Sequence, residues 1–173
     1  DEYLGVMYDY LHMKLYGFHV IQADQVARQL MEPGMESYHA VVDYLGPAVV
    51  KEDKSLDREV MADIIFHDPI KRKRVDALTH PLVWKAAMKE AMEAREGRVV
   101  IEAAIPSKDF RDKCSKMWYV YTSRENRLER LKANRGYTRE KTLSIMDNQV
   151  SDEVFRSFCD AVIDNNKSLE ETK

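Results

Sequence analysis

His19-Val20-Ile21-Gln22-Ala23-Asp24-Gln25-Val26-Ala27-Arg28, followed by Met31-Glu32-Pro33-Gly34, decides how this chain is read. Residues 18–21 are a short apolar run with the composition of a strand. Residues 25–31 are helical in pattern and must stop before Pro33-Gly34. A strand feeding directly into a helix is the repeating unit of an α/β sheet. Asp24 then stands just past the strand end, where such sheets bind their ligands. Arg28 follows one helical turn later on the same face.

The alternation recurs along the chain. Residues 98–105, 117–122 and 161–163 are further apolar runs of strand type. Between them the pattern predicts helices over 37–45, 56–66 and 68–78, then 82–95, 124–134 and 138–150. Residues 49–55 are polar and turn-like. His80-Pro81 is read as a break, with Pro81 in the first turn of the helix that follows. Thr138 is a candidate N-cap. At the amino end, Leu4, Met7, Tyr8, Leu11 and Leu15 give residues 2–16 an amphipathic helical spacing, closed by Gly17. The expected fold is α/β, a mainly parallel sheet flanked by helices. The ends of the first strand (Asp24), the second (residues 105–107) and the last (Asp164-Asn165-Asn166) are expected to face one crevice.

Composition narrows the function classes. The chain has 173 residues, 45% hydrophobic and 33% charged, with net charge −3. That is the profile of a globular domain with a sizeable core, and the acidic balance argues against a nucleic-acid partner. No apolar run is long enough for a membrane span, and no signal peptide is visible. Cys114 and Cys159 lie far apart and match no metal spacing, so a reduced, cytoplasmic setting is expected. The run Lys71-Arg72-Lys73-Arg74 reads as a solvated face in a net acidic protein.

Taken singly, the candidate residues each admit a plain reading. Asp24 fits an N-cap of the helix after it as well as a group that orients a hydroxyl for attack on phosphate. Asp24 with Arg28 is also an ordinary surface ion pair. His80 fits a structural hydrogen bond, and Asn165-Asn166 a turn.

Taken in order, the segments say more. Gln22-Ala23-Asp24, Arg28 and Glu32-Pro33-Gly34 resemble the D-A-D-x-x-A-R…EPG stretch of the dephospho-CoA kinases. The resemblance continues through Leu56-Asp57-Arg58, Ile65-Phe66-His67-Asp68-Pro69 and His80-Pro81. It runs on through Trp118-Tyr119-Val120-Tyr121, residues 127–131, Arg135-Gly136-Tyr137-Thr138-Arg139-Glu140 and Gln149, and ends with residues 160–166. It implies a fold of the P-loop kinase type in one domain over residues 1–173. Within that domain it implies a helical acceptor-binding region over 30–97 and a lid over 130–150. The implied activity is ATP-dependent phosphorylation of the ribose 3′-hydroxyl of dephospho-CoA, the last step of coenzyme A synthesis, with Mg²⁺ accompanying ATP. By the same resemblance Asp24 is the catalytic carboxylate, and Arg28, His80 and Pro81 hold the acceptor. Arg135 and Arg139 then sit over ATP, Asn165 sits at the adenine side, and the basic run 71–74 attracts the phosphates of coenzyme A.

The chain departs from the pattern in two places. A phosphate loop of the form G-x-x-x-x-G-K-[ST] is expected near Gly5-Val6-Met7, and no lysine or hydroxyl stands there. The first residue is Asp1. Trimming or an incomplete record is one reading, with Asp1-Glu2 following a G-K-D form of the loop. Degeneration into a non-catalytic relative that binds a ligand or partner is the other. After Glu102, where the family has D-x-P-L-L-F-E, Lys108 replaces the closing glutamate and reverses its charge.

Overall fold

The protein is described by a computed structural model covering residue 13 and residues 16–94, 97–104, 111–147 and 149–167. The helix expected over residues 2–16 lies almost wholly outside these, as do residues 105–108. The described chain divides into two compact units, Tyr10–Ala103 and Ala104–Lys173.

In the first unit, strand β1 (His19–Gln22) pairs in parallel with β2 (Val99–Glu102), His19 opposite Val99 and Gln22 opposite Glu102. Helix α1 (Ala23–Leu30) leaves β1 without a connecting loop. It is followed by α2 (Glu36–Leu45), a 3₁₀ turn (Pro47–Val49), α3 (Arg58–His67) and the long α4 (Pro69–Glu93). Helix α1 turns Ala23, Val26 and Leu30 inward, a three-and-four spacing that is one helical stripe. These pack with Ile21 of β1 and with Val83 and Ala87 of α4. A second cluster joins Val41 of α2, Val49, Leu56 and Val75 of α4.

Helix α4 corrects the sequence reading. Two helices broken at His80-Pro81 were expected, but one helix of 25 residues runs through Pro81. Its buried stripe, Val75, Thr79, Val83 and Ala87, repeats every fourth residue on both sides of the proline. Val75 belongs to one core cluster and Val83 to the other, so breaking the helix would uncover apolar surface at both. Each such burial contributes about 1.5–3 kcal/mol, enough together to offset the roughly 3 kcal/mol of an interior proline. Ala77, whose carbonyl loses its N–H partner, is exposed like Pro81, so water reaches that side.

Helix starts follow their caps. Helix α3 begins at Arg58, two residues later than expected, because the Asp57 carboxylate accepts from the N–H groups of Glu59 and Val60 at 3.1 Å. Asp68 caps α4 likewise, accepting from Ile70 and Lys71 at 3.0 Å.

In the second unit, β3 (Trp118–Tyr121) pairs in parallel with β4 (Ala161–Asp164), Trp118 opposite Ala161 and Tyr121 opposite Asp164. Between them lie α5 (Arg124–Arg135), α6 (Arg139–Asp147) and α7 (Asp152–Phe158). Gly136 closes α5 at φ 63°, a left-handed conformation that strains any residue with a side chain. Thr138 accepts from the Lys141 N–H at 3.2 Å, as expected of a cap. Helix α7 was not foreseen. Its signal is Ser151, whose hydroxyl caps the Val154 N–H, followed by Asp152 and Glu153 in the first turn.

Candidate functional site

The amino end of α1 carries the first candidates. The helix starts at Ala23, its N-cap is Gln22, and no side chain caps it. Asp24 is therefore not the cap that its position in the sequence allowed. The carboxylate is exposed in the first turn, immediately past β1. Gln22, buried at the strand end, receives a hydrogen bond from the Gln25 side chain, which ties the turn to the strand. Because Gln22 is level with Glu102, both strands of this sheet end beside Asp24's turn. Arg28 is exposed one turn on. A carboxylate there can accept a hydroxyl proton, and a cation there can hold an anionic group.

His80 and Pro81 are on α4, both exposed. His80 Nε2 lies 3.8 Å from an Asp76 carboxylate oxygen one turn earlier on the same helix. The buried face of α4 packs on the buried face of α1, whereas Asp24 and Arg28 occupy the exposed face.

Sequence reasoning missed a cleft of about 320 Å³ at the far end of α1. Met31, Pro33 and Leu56 give it apolar walls, and Lys51 and Arg58 bring cations to it. Glu32 and Glu59 also line it, and Arg58 stands 3.9 Å from Glu32. The signal was present in Glu32-Pro33-Gly34 and Leu56-Asp57-Arg58, segments distant in sequence that the fold brings together.

In the second unit, Arg135 is half-buried at the end of α5. It donates to the Tyr137 hydroxyl at 3.3 Å, with its guanidinium 5.5 Å from that ring, and Lys141 sits 4.0 Å from the same ring. Arg139 is exposed at the start of α6. The structure thus gathers Arg135, Tyr137, Arg139 and Lys141 into one short basic segment, residues 135–141.

Asn165 follows β4, and its N–H bonds to the Tyr121 carbonyl at 2.8 Å. Asn166, not singled out from sequence, organises this loop. Its side-chain oxygen accepts from the Ser123 N–H at 2.7 Å and from the Asn126 amide at 3.0 Å. The same asparagine donates to Asp164 at 2.6 Å. The loops after β3 and β4 are thereby joined.

Neither cysteine is tuned for nucleophilic work. Burial pushes both the Cys114 and the Cys159 thiol up, against the pull of Arg111. Among the described residues no three or more His, Cys, Asp or Glu gather as a metal site. No helix among them is long and apolar enough to cross a membrane.

Comparison with known proteins identifies the constellation. The family model described as "CoaE: Dephospho-CoA kinase" matches residues 8–171. A dephospho-CoA kinase of Corynebacterium glutamicum is 35% identical over 161 residues, covering 91% of this chain and 83% of its own length. The crystal structure of TT1252 from Thermus thermophilus superposes with a TM-score of 0.78 at 26% identity, over 97% of this chain and 86% of the other. A dephospho-CoA kinase from Campylobacter jejuni, 19% identical, shares the fold with a TM-score of 0.68 over 97% of this chain and 86% of its own. The fold is α/β of the P-loop kinase type, and across nearly its whole length the chain belongs to the dephospho-CoA kinase family.

Proposed function

We propose that this chain transfers the γ-phosphoryl group of ATP to the ribose 3′-hydroxyl of dephospho-CoA. The observation that carries the reading is Asp24, an exposed carboxylate held just past β1 and released from any capping duty, in a chain of this family. The 3′-oxygen attacks the γ-phosphorus, and the bond from that phosphorus to the β,γ-bridging oxygen breaks. ADP leaves, and the hydroxyl proton passes to Asp24. Such a transfer needs positioning and charge neutralisation more than covalent chemistry.

The other residues take roles that fit where they stand. Arg28, one turn from Asp24, holds an anionic part of the acceptor, and His80 with Pro81 shapes the acceptor side. Residues 30–97 form the acceptor-binding region. Arg135 and Arg139 neutralise the polyphosphate from a lid spanning residues 130–150, and Asn165 lies at the adenine side. ATP enters as its Mg²⁺ complex. That ion keeps several waters and phosphate oxygens as ligands and needs few from protein, so the carboxylates present are compatible with it. Mg²⁺ supplies charge neutralisation on the phosphates when bound. The reaction belongs in the cytoplasm, where both substrates are made.

The test uses protein expressed from the gene's own start codon, with ATP, Mg²⁺ and dephospho-CoA, and detects coenzyme A by mass. Coenzyme A is expected, with kcat falling by roughly 10²–10⁴ in Asp24→Asn. Absence of product from the unaltered protein overturns the proposal, and so does an Asp24→Asn variant that turns over normally.

A further inference from the structure

We infer that the cleft between the end of α1 and the start of α3 is the seat of the acceptor's diphosphate and extended amide arm, with Lys51 and Arg58 as the cations that select it. The inference rests on the function proposed above and adds a subsite to it.

The first argument is position. Asp24, Arg28 and Glu32 are spaced by four, so they continue one stripe along α1 and its terminal turn. Glu32 lines the cleft. The turn persists that far, because the Glu32 N–H bonds to the Gln29 carbonyl at 3.0 Å. Seven residues of helix from Asp24 to Met31 rise about 10 Å. An acceptor whose 3′-hydroxyl meets Asp24 carries its 5′-diphosphate on the other side of the ribose and its arm beyond that. The stripe leads from the reacting end of such a molecule to the cleft.

The second argument is chemistry. A diphosphate needs cations, and Lys51 and Arg58 supply two. An amide arm with alkyl segments needs both apolar walls and polar acceptors. Met31, Pro33 and Leu56 give the first, and Glu32 gives the second. A volume of about 320 Å³ suits one end of a small molecule.

The third argument is that the walls are fixed before any ligand arrives. Lys51 donates to the Ser55 carbonyl at 2.8 Å, and Lys54 donates to the Lys51 carbonyl at 3.0 Å. Lys54 is held at φ 67°, an unfavoured conformation for lysine, and the Tyr38 hydroxyl secures its carbonyl at 2.8 Å. Leu56 sits in the core. Arg58 begins a helix whose first turn is capped by Asp57. The long Arg58 and Lys51 side chains remain at the surface, ready to pair with anions.

The experiment is steady-state kinetics of Arg58→Ala and Lys51→Glu. Both positions are exposed, so neither change disturbs the core. The KM for dephospho-CoA is expected to rise about tenfold in each with kcat little changed, the signature of binding lost equally from ground and transition states. With adenosine as acceptor, which lacks the diphosphate and the arm, the variants should match the unaltered protein. Unchanged KM for dephospho-CoA in both variants overturns the cleft assignment and leaves the kinase reading standing. If the unaltered protein makes no coenzyme A, the kinase reading falls and calorimetry with dephospho-CoA decides the cleft. Tenfold weaker binding by Arg58→Ala upholds the cleft, and equal binding overturns it.

Discussion

The two compact units are built on the same element, a parallel pair of four-residue strands, and are held together by different forces. In Tyr10–Ala103 the pair is backed by side chains that water does not reach. Among the described residues, every buried apolar side chain except Tyr119 lies between Ile21 and Ala87. In Ala104–Lys173 the pair is pinned by polar groups. The Tyr119 hydroxyl donates to Asp152 at 2.6 Å, and Arg127 donates to both at 3.1 Å while its Nε reaches the Thr122 carbonyl at 2.7 Å. Asp160 accepts from Arg111 at 2.8 Å and from the Met117 N–H at 2.7 Å, fixing the point where β3 and β4 begin. The only extended apolar contact in this network is the Tyr119 ring stacked on Phe155, centroids 4.7 Å apart. Apolar burial is non-directional and insensitive to pH, whereas the polar network is directional and titrates. The first unit presents a preformed acceptor surface, and the second carries the basic segment proposed to close over a nucleotide. The weaker burial sits in the part asked to move.

The largest effect expected from this contrast is in the first core. Ile21, 2% exposed, is the strand residue around which α1 and α4 close. Ile21→Ala should cost about 2–5 kcal/mol, measured by denaturant unfolding. A cost below about 1 kcal/mol would mean that this core repacks freely and that the contrast is wrong.

The next effect is in the polar network. Asp152→Ala leaves the Tyr119 hydroxyl and Arg127 without their shared acceptor. Asp152 is about 40% exposed, so water recovers part of the loss, and roughly 1–2 kcal/mol is expected. A double-mutant cycle with Tyr119→Phe should show coupling above about 0.5 kcal/mol, and additive effects would show that the three groups do not act together.

This division also explains what could be read in the sequence. Strand β1 and helix α1 were legible because an apolar face repeats at a fixed period and Pro33-Gly34 ends it. Helix α4 was misread at Pro81, because local propensity was outvoted by core contacts on either side that no local pattern displays. Helix α7 was missed because Asp152, Val154 and Phe155 give seven residues little periodicity, and its anchor, Tyr119, is 33 residues away. Asp24 and Arg28 were found because they are adjacent in chain and in space. Lys51 and Arg58 were not, because the cleft that unites them with Met31 exists only after folding.

Acid separates the two units by sign. Asp152 is held below the usual carboxylate range, first by the Tyr119 hydroxyl and then by Arg127. Asp160 is held low by the Met117 N–H and by Arg111 and Lys116. A carboxyl whose folded pKa is depressed stabilises the fold above its unfolded pKa, near 3.9, and loses that contribution as pH falls through the lower folded value. Below about pH 4, amide protection in β3 and β4 should fall before protection in β1 and α1, as hydrogen exchange would show. Simultaneous loss in both units would deny the polar network its role. Asp152→Asn should remove part of the acid dependence while keeping a group that Arg127 no longer pairs with.

The smallest effect discriminates most finely, because one substitution can be placed in both units. Valine and threonine have the same shape and both suit β structure, so Val→Thr changes little except a methyl for a hydroxyl. Val83, 7% exposed, lies in the first core on α4. Val83→Thr puts a hydroxyl among apolar neighbours, where it is expected to cost about 1–3 kcal/mol unless it bonds back to the Thr79 carbonyl one turn earlier. Val120 is on β3 and 46% exposed, beside Trp118 at 48% and Val162 at 40%. Val120→Thr keeps its hydroxyl in water and should change stability by less than about 0.5 kcal/mol. If instead it costs as much as Val83→Thr, the outer face of β3 and β4 is covered in the folded protein, and the second unit is held by burial after all. The difference between the two variants, measured in one denaturant series, therefore reads directly how unlike the two strand pairs are.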